Sequence, residues 1–247
     1  MIPRVLASVL TLVVGLSIGT VAAPKPPYFR APALTEQARI VPGGRSVLPN
    51  GRFITPKGKR LYVGDNLWRV VVRPDGKAVV GIYDDALAIY ALPHAPGNGA
   101  RVIRVPGVAF SAAFTRDSSR LIVAGGEQGG VLVFDARGWE KPVPRGEDSP
   151  LVATDQKPEI AITANAGSAN ATYINAVAVH PDERVVFGVD IAHQRVIAFD
   201  LVGRKVLSAV KAGREPYALA LSEDGKTLFV ANIGLFDYAL VGPPAPG

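Results

Sequence analysis

The 247-residue sequence contains no cysteine, one methionine, two tryptophans and three histidines. Without cysteine there is no disulfide, no thiolate metal centre and no site for a lipid on sulfur, so the fold must be held by packing. His94, His180 and His193 stand too far apart for a His-x-x-x-His pair, which leaves little basis for a histidine-rich metal centre. There is no Gly-x-Ser-x-Gly elbow, and Ser111, Ser168 and Ser222 have no base at an activating spacing, which argues against a serine hydrolase. Beyond residue 20 no long apolar stripe recurs with a helical period, so helices are expected to be few.

A positive face on the body of the chain is lacking too. The formal charge is +6, but Lys25, Arg30, Arg39, Arg45, Arg52, Lys57, Lys59 and Arg60 against Glu36 concentrate +7 in residues 24–60. Residues 61–247 hold 18 basic and 20 acidic side chains, a net −2. Nucleic acid is therefore not an expected partner. The basic leader reads as a solvated arm.

What is present begins with Arg4, an apolar run over 5–18 and the small residues Thr20, Val21, Ala22 and Ala23, the pattern of a secretory signal peptide. The run is short of the roughly 20 residues of a spanning helix. The expectation is export to the periplasm or the exterior, with no membrane span after cleavage. Residues 24–50 hold six prolines and no period, and are expected to form an extended arm.

The rest is repetitive. PYALALSEDGKTLFVANIG, over 216–234, reads as a strand, an Asp-Gly turn and a second strand. The same frame surrounds Asp75, Asp117 and Asp182. Five residues before each aspartate stand Val70, Ala112, Val177 and Leu219, and five after stand Val80, Ile122, Phe187 and Phe229. Asp75 and Asp117 are 42 apart, as are Asp182 and Asp224, the spacing of four-stranded propeller blades. Asp117 and Asp182 are 65 apart, and the surplus of 23, rich in Pro, Gly and charge over 139–158, is expected to be a loop beside the outer strand of the second blade.

The fold class is thus all-β: a β-propeller of four-stranded antiparallel blades, about four present, as an open part of a ring of roughly seven. The expected division is a signal peptide over 1–23, the Pro-rich basic arm over 24–50 and propeller repeats over 51–247, with blades near 64–105, 106–170, 171–212 and 213–247. Residues 61–63 occupy the slot of a fourth strand without a blade, and residues 238–241 that of a third strand in the last blade. Closure of a four-blade ring through 61–63 is the alternative to an arc. The large residues Phe110, Phe187, Tyr217 and Phe229 favour the arc, with an apolar face exposed on the fourth blade.

In such a meander the loops entering the first strand and those joining the second to the third lie at one end of the blade. The first set brings Trp68, Phe110, Asn175 and Tyr217 to that face. The second brings Asp84, Asp85, Glu127, Gln128, Asp190, His193 and Asn232. Two readings stand side by side: a ring of carboxylate, imidazole and aromatic groups able to hold a metal or a sugar-like ligand, or turn residues and aromatics that pack between blades. No cofactor is predicted. Asp190 and His193, with Asp84 and Asp85, are the best set for a divalent metal. The Gly-rich run over 125–130 joins two strands of a hairpin and reads as a permissive turn, since no helix follows to bind phosphate.

RPDGKAVVGIYD, HPDERVVFGVD and SEDGKTLFVANIG resemble the YVTN-type, lactonase-like β-propeller repeat. LPNGRFITPKGKRLYVGD and REPYALALSEDGKTLFVANIG are similar to the N-terminal half of exported bacterial proteins that join such a propeller to a C-terminal alkaline-phosphatase-like phosphoesterase. The resemblance covers residues 48–240, and TRDSSRLIVAGG departs from it by lacking the Pro-Asp-Gly triplet. It implies about seven blades, a truncated chain, and a phosphoesterase domain missing from it. A strong repeat signal without a catalytic constellation points to a binding or scaffold module for a small molecule or a protein, with no catalysis of its own; the alternative, from the ring of carboxylates and His193, is a lactonase-like hydrolase at the channel mouth.

Overall fold

An aspartate followed by a residue that accepts positive φ closes the first hairpin of each blade. Through Oδ1, Asp75, Asp117, Asp182 and Asp224 accept the backbone N–H two residues on, from Lys77 at 3.0 Å, Ser119 at 2.9 Å, Arg184 at 2.9 Å and Lys226 at 3.1 Å. Between each pair stands a left-handed residue: Gly76 (φ 70), Ser118 (φ 65), Glu183 (φ 57) and Gly225 (φ 74). The Thr115 hydroxyl, then the Ser119 amide, hold the Asp117 carboxyl down at about 2. The aspartate frame of the sequence is therefore a frame of Asx turns.

The computed structural model describes residues 31–41, 44–55, 66–108, 111–146, 149–164 and 171–234. Two units separate, residues up to Tyr62 and residues from Val63. In the first, β1 (Ser46–Val47) pairs antiparallel with β2 (Phe53–Ile54). The Asn50-Gly51 turn lies between them, with Gly51 at φ 71 and Asn50 Oδ1 accepting the Arg52 amide at 3.1 Å. This corrects the arm expected over 24–50: its C-terminal end folds into a hairpin, because Asn-Gly is the middle of the element rather than its beginning.

In the second unit, β3 (Arg69–Val72), β4 (Ala78–Ile82), β5 (Ala86–Ala91) and β6 (Asn98–Arg104) form the first antiparallel blade. The second starts with β7 (Ala112–Phe114), β8 (Arg120–Ala124) and β9 (Gly130–Asp135). The chain then makes an excursion through β10 (Val143–Pro144) and β11 (Leu151–Thr154) before β12 (Ile160–Thr163) completes that blade against β9. The third blade is β13 (Ile174–Val179), β14 (Val185–Asp190), β15 (Arg195–Asp200) and β16 (Lys205–Lys211). Of the fourth, the described residues show β17 (Pro216–Leu221) and β18 (Leu228–Asn232). The architecture is all-β, without a helix among the described residues, so none there is long and apolar enough to cross a membrane. Residues 61–63 and 238–241, on which closure was argued, lie outside the described residues, as does the expected signal peptide.

Strands buried on both faces alternate between two neighbours. Leu121 and Val123 of β8 pack with Val80, Ile82, Leu87 and Phe134 in the layer toward the first blade, while Ile122 and Ala124 pack with Ile174, Val177 and Phe199 toward the third. The third interblade layer is thinner. Leu219, Leu228 and Val230 turn toward Val189 and Val196 but are only partly buried, and Phe229 on the opposite face is 61% exposed. The apolar face expected on the fourth blade is there.

The excursion corrects a second expectation. Instead of looping beside the second blade, β10 pairs antiparallel and β11 parallel with β6, the outer strand of the first blade. Gly99 permits this approach, since a Cβ there would lie 2.7 Å from the Pro150 carbonyl oxygen.

Successive turns also touch one another. The Asp75 amide donates to Ser118 Oγ at 3.1 Å, the Arg116 amide donates to Glu183 Oε1, and a Cβ on Gly225 would lie 2.5 Å from His180 Nε2. Around Gly76 there is nothing within 4 Å. Gly76→Ala is therefore expected to cost only the left-handed backbone term, about 1–2 kcal/mol, whereas Gly225→Ala adds a displacement of His180 and should lower the urea midpoint further. Equal midpoints for the two variants would refute the close turn-to-turn contact.

Candidate functional site

The position seven residues before each turn aspartate is where the chain enters a blade. Trp68, Phe110, Asn175 and Tyr217 occupy it; Phe110 lies outside the described residues. At Asn175 the β13–β14 register slips between Ile174 and Ala176, and at Tyr217 the β17–β18 register slips between Pro216 and Ala218. An extra residue at such a bulge is turned out of the ladder. Both blades thus turn the same repeat position out of the ladder and toward one cavity.

There, Trp68, Asn175 and Tyr217 line a cavity of about 380 Å³ together with Arg69, Ser111, Ala176, Val177, Ala218 and Leu219. Two of its polar residues are buried, Ser111 at 4% and Asn175 at 7% exposure. Ser111 Oγ accepts the Val177 amide at 3.2 Å, which leaves the hydroxyl proton to donate. The Asn175 Nδ2 donates to the Tyr217 carbonyl at 2.8 Å, tying the third blade to the fourth and leaving its Oδ1 as an acceptor. Trp68 and Tyr217, 56% and 44% exposed, supply two aromatic walls.

The loops between second and third strands form the surroundings. Asp84 accepts the Trp68 indole N–H and so fixes that ring, while Asp85 pairs with Arg104. Gln128 donates to the Pro106 carbonyl at 2.9 Å. Burial, then the charge of Glu127, the Tyr217 phenol and the charge of Asp84 push the Tyr173 phenol up, so carboxylates of two blades act on one tyrosine of a third.

Asp190 has another part. It is fully buried and accepts from the amides of Tyr173 at 3.2 Å and His193 at 3.3 Å, contacts His193 Nδ1 at 2.8 Å and accepts from Arg195 Nε at 2.8 Å. Those contacts join β14, the turn after it and β15. The pair considered for a metal is thus built round the Arg195 cation, and Asp84 and Asp85 are engaged elsewhere. No group of three or more His, Cys, Asp or Glu side chains suited to a metal occurs among the described residues. Asn232 is exposed; its carboxamide covers Gly213, where a Cβ would lie 2.7 Å from Asn232 Cγ.

The structure therefore brings Trp68, Asn175 and Tyr217 to one cavity, while Asp190, His193 and Asn232 do not line it. Arg69 and Ser111 do, and sequence reasoning missed both. The signal was in the register: one position further on, six before the aspartate, two blades carry Ala176 and Ala218 and the other two carry Arg69 and Ser111. A guanidinium and a hydroxyl where the repeat elsewhere keeps a methyl mark that position as polar by choice.

No protein-family model matches the sequence, and no curated protein matches it. Among solved structures the chain is similar to a hydrazine synthase of Kuenenia stuttgartiensis, at 15% identity and a TM-score of 0.51, over 73% of this chain and 46% of that one. A functionally unknown protein from Desulfotomaculum acetoxidans shares 15% identity at a TM-score of 0.48, over 66% of this chain and 48% of that one. This chain spans about half the length of either, and the likeness to the first is one of fold alone.

Proposed function

We propose that the chain is an exported ligand-binding β-propeller module of the YVTN-type, lactonase-like kind, whose ligand sits where the first strands of the blades converge. The observation that carries this reading is the cavity lined by Trp68, Asn175 and Tyr217, one repeat position taken from three different blades. A packing role alone does not account for it, because the two aromatics remain open to solvent and Ser111 and Asn175 keep hydrogen-bonding capacity beside them. Export is supported by the signal-like segment over 1–23, and linkage to a phosphoesterase by the resemblance over 48–240.

A thermal-shift panel of sugars, sugar acids, lactones and amines against the full chain tests this. At least one compound is expected to raise the melting temperature, by mass action on the folded state. Its effect should vanish in Tyr217→Ala while that variant melts within a few degrees of the parent. A panel without any such ligand would overturn the reading, and turnover of a lactone would replace a binding module with a hydrolase.

A further inference from the structure

Among the described residues Arg69 is the one charged side chain lining the cavity. Of the carboxylates in the loops between second and third strands, Asp85 pairs with Arg104 and Asp190 with Arg195, while Asp84 accepts the Trp68 indole N–H and keeps its charge. Glu127 stands at Gly107, its Oε2 3.3 Å from where a Cβ on that glycine would be. Among the described residues no carboxylate forms an ion pair with Arg69. Strand alternation puts it on the face of β3 that carries Val71, which packs into the layer toward the second blade. Arg69 is exposed at the edge of the cavity, on a position otherwise occupied by alanine or serine, and its guanidinium is open to an anion from outside the chain.

The remaining lining narrows that anion. Trp68 and Tyr217 offer flat apolar surface that the carbon face of a pyranose covers, which removes it from water without requiring a fully apolar ligand. Ser111 donates and Asn175 Oδ1 accepts, the complement that a ring of hydroxyls satisfies. A cavity of about 380 Å³ has ample room for a sugar ring, and its mixed lining does not suit an acyl chain. A planar guanidinium binds carboxylate through two parallel N–H donors. Resting on the binding reading above, we infer that the ligand is a monosaccharide-sized acidic sugar, a uronic acid, held by its carboxylate on Arg69 and by its ring on Trp68 and Tyr217.

The two tryptophans make the test direct. Trp139 is buried at 1% exposure and Trp68 is open, so a ligand at the cavity changes the emission of Trp68. The full chain is titrated with D-galacturonate and D-glucuronate, with D-galactose and D-glucose, and with sodium acetate. A uronate is expected to bind about tenfold or more tightly than its neutral hexose and than acetate, the discrimination of a charge-assisted pair. Arg69→Gln should bring the uronate down to the level of the hexose at an unchanged melting temperature, and Arg69→Lys should restore part of the difference. Equal affinity for uronate and hexose, acetate binding as tightly as uronate, or no effect of Arg69→Gln would each overturn the inference. If uronates fail while another compound gives a Tyr217-dependent thermal shift, the inference falls and the binding reading stands. If nothing binds, both fall.

Discussion

Replacing Trp139 by alanine is expected to lower stability by about 3–5 kcal/mol, the range for removing a fully buried large aromatic. Trp139 is the largest of the fully buried side chains among the described residues and belongs to the core layer between the first two blades. Its ring meets Phe114 edge-on at 6.2 Å and 79°, and its Nε1 donates to Gln156 Oε1 at 3.2 Å. Gln156 in turn donates from Nε2 to the Asp135 carbonyl at 2.7 Å. The indole thus pins both ends of the excursion that carries β10 and β11, and alanine there leaves a cavity and an amide oxygen without its donor. Urea melts measure the loss, and Trp139→Phe should recover part of it by refilling the space without restoring the hydrogen bond. A change in free energy below about 1 kcal/mol for Trp139→Ala would mean that the layer does not depend on the ring.

Gly130→Ala should do comparable damage by the opposite route. A Cβ on Gly130 would lie 1.7 Å from the Ile162 carbonyl oxygen, 2.7 Å from its carbon and 2.8 Å from Thr163 Cα. All three are backbone atoms of β12, so no side chain can rotate away and the strand itself has to move. Overpacking a core typically costs 1–3 kcal/mol and occasionally more; a loss of about 3 kcal/mol is expected because ladder bonds between β9 and β12 go with it. Amide hydrogen exchange locates the damage: protection should fall over residues 160–163 while residues 185–190 stay slow. Unchanged protection over 160–163 would show that the second blade tolerates the methyl group. The Trp139 variant removes matter from a layer and the Gly130 variant forces a strand off a sheet, so the first should soften two blades and the second should strip one.

The parts of the fold legible in the sequence are those that repeat. The aspartate frame announces hairpins because Asx-turn chemistry is local: one carboxylate, one amide two residues away and one left-handed backbone between them. The alternation of Leu121, Ile122, Val123 and Ala124 likewise records two buried faces. What was not legible is what does not repeat. Nothing in LVAT tells that β11 lies parallel to β6, since the room for that approach is left by Gly99 at a distance along the chain. Within the candidate site, Trp68, Asn175 and Tyr217 were found because they share a register. Arg69 and Ser111 were overlooked because a single arginine or serine in an apolar run resembles ordinary variation until its counterparts in the other blades are set beside it. Asp190 and His193 misled for a related reason: short spacing signals contact, and here the contact serves Arg195 and the turn.

The contact between successive turns has a consequence for how such a chain comes into being. Ser118 receives the amide of Asp75, Glu183 that of Arg116, and Gly225 rests on His180, so at each of these three junctions a later turn closes on an earlier one. Blade order is in this sense a direction of growth with one exception: the first blade offers its surface to the second but waits for β10 and β11, later in the chain, to cover β6. A polypeptide that emerges N-terminus first can therefore set its sheets one after another, each templated by the last, as nearest-neighbour coupling in repeat proteins allows. Vectorial assembly of this kind leaves the far face of the first blade and the face of the newest one uncovered, and among the described residues Val70 and Val72 mark the former and Phe229 the latter.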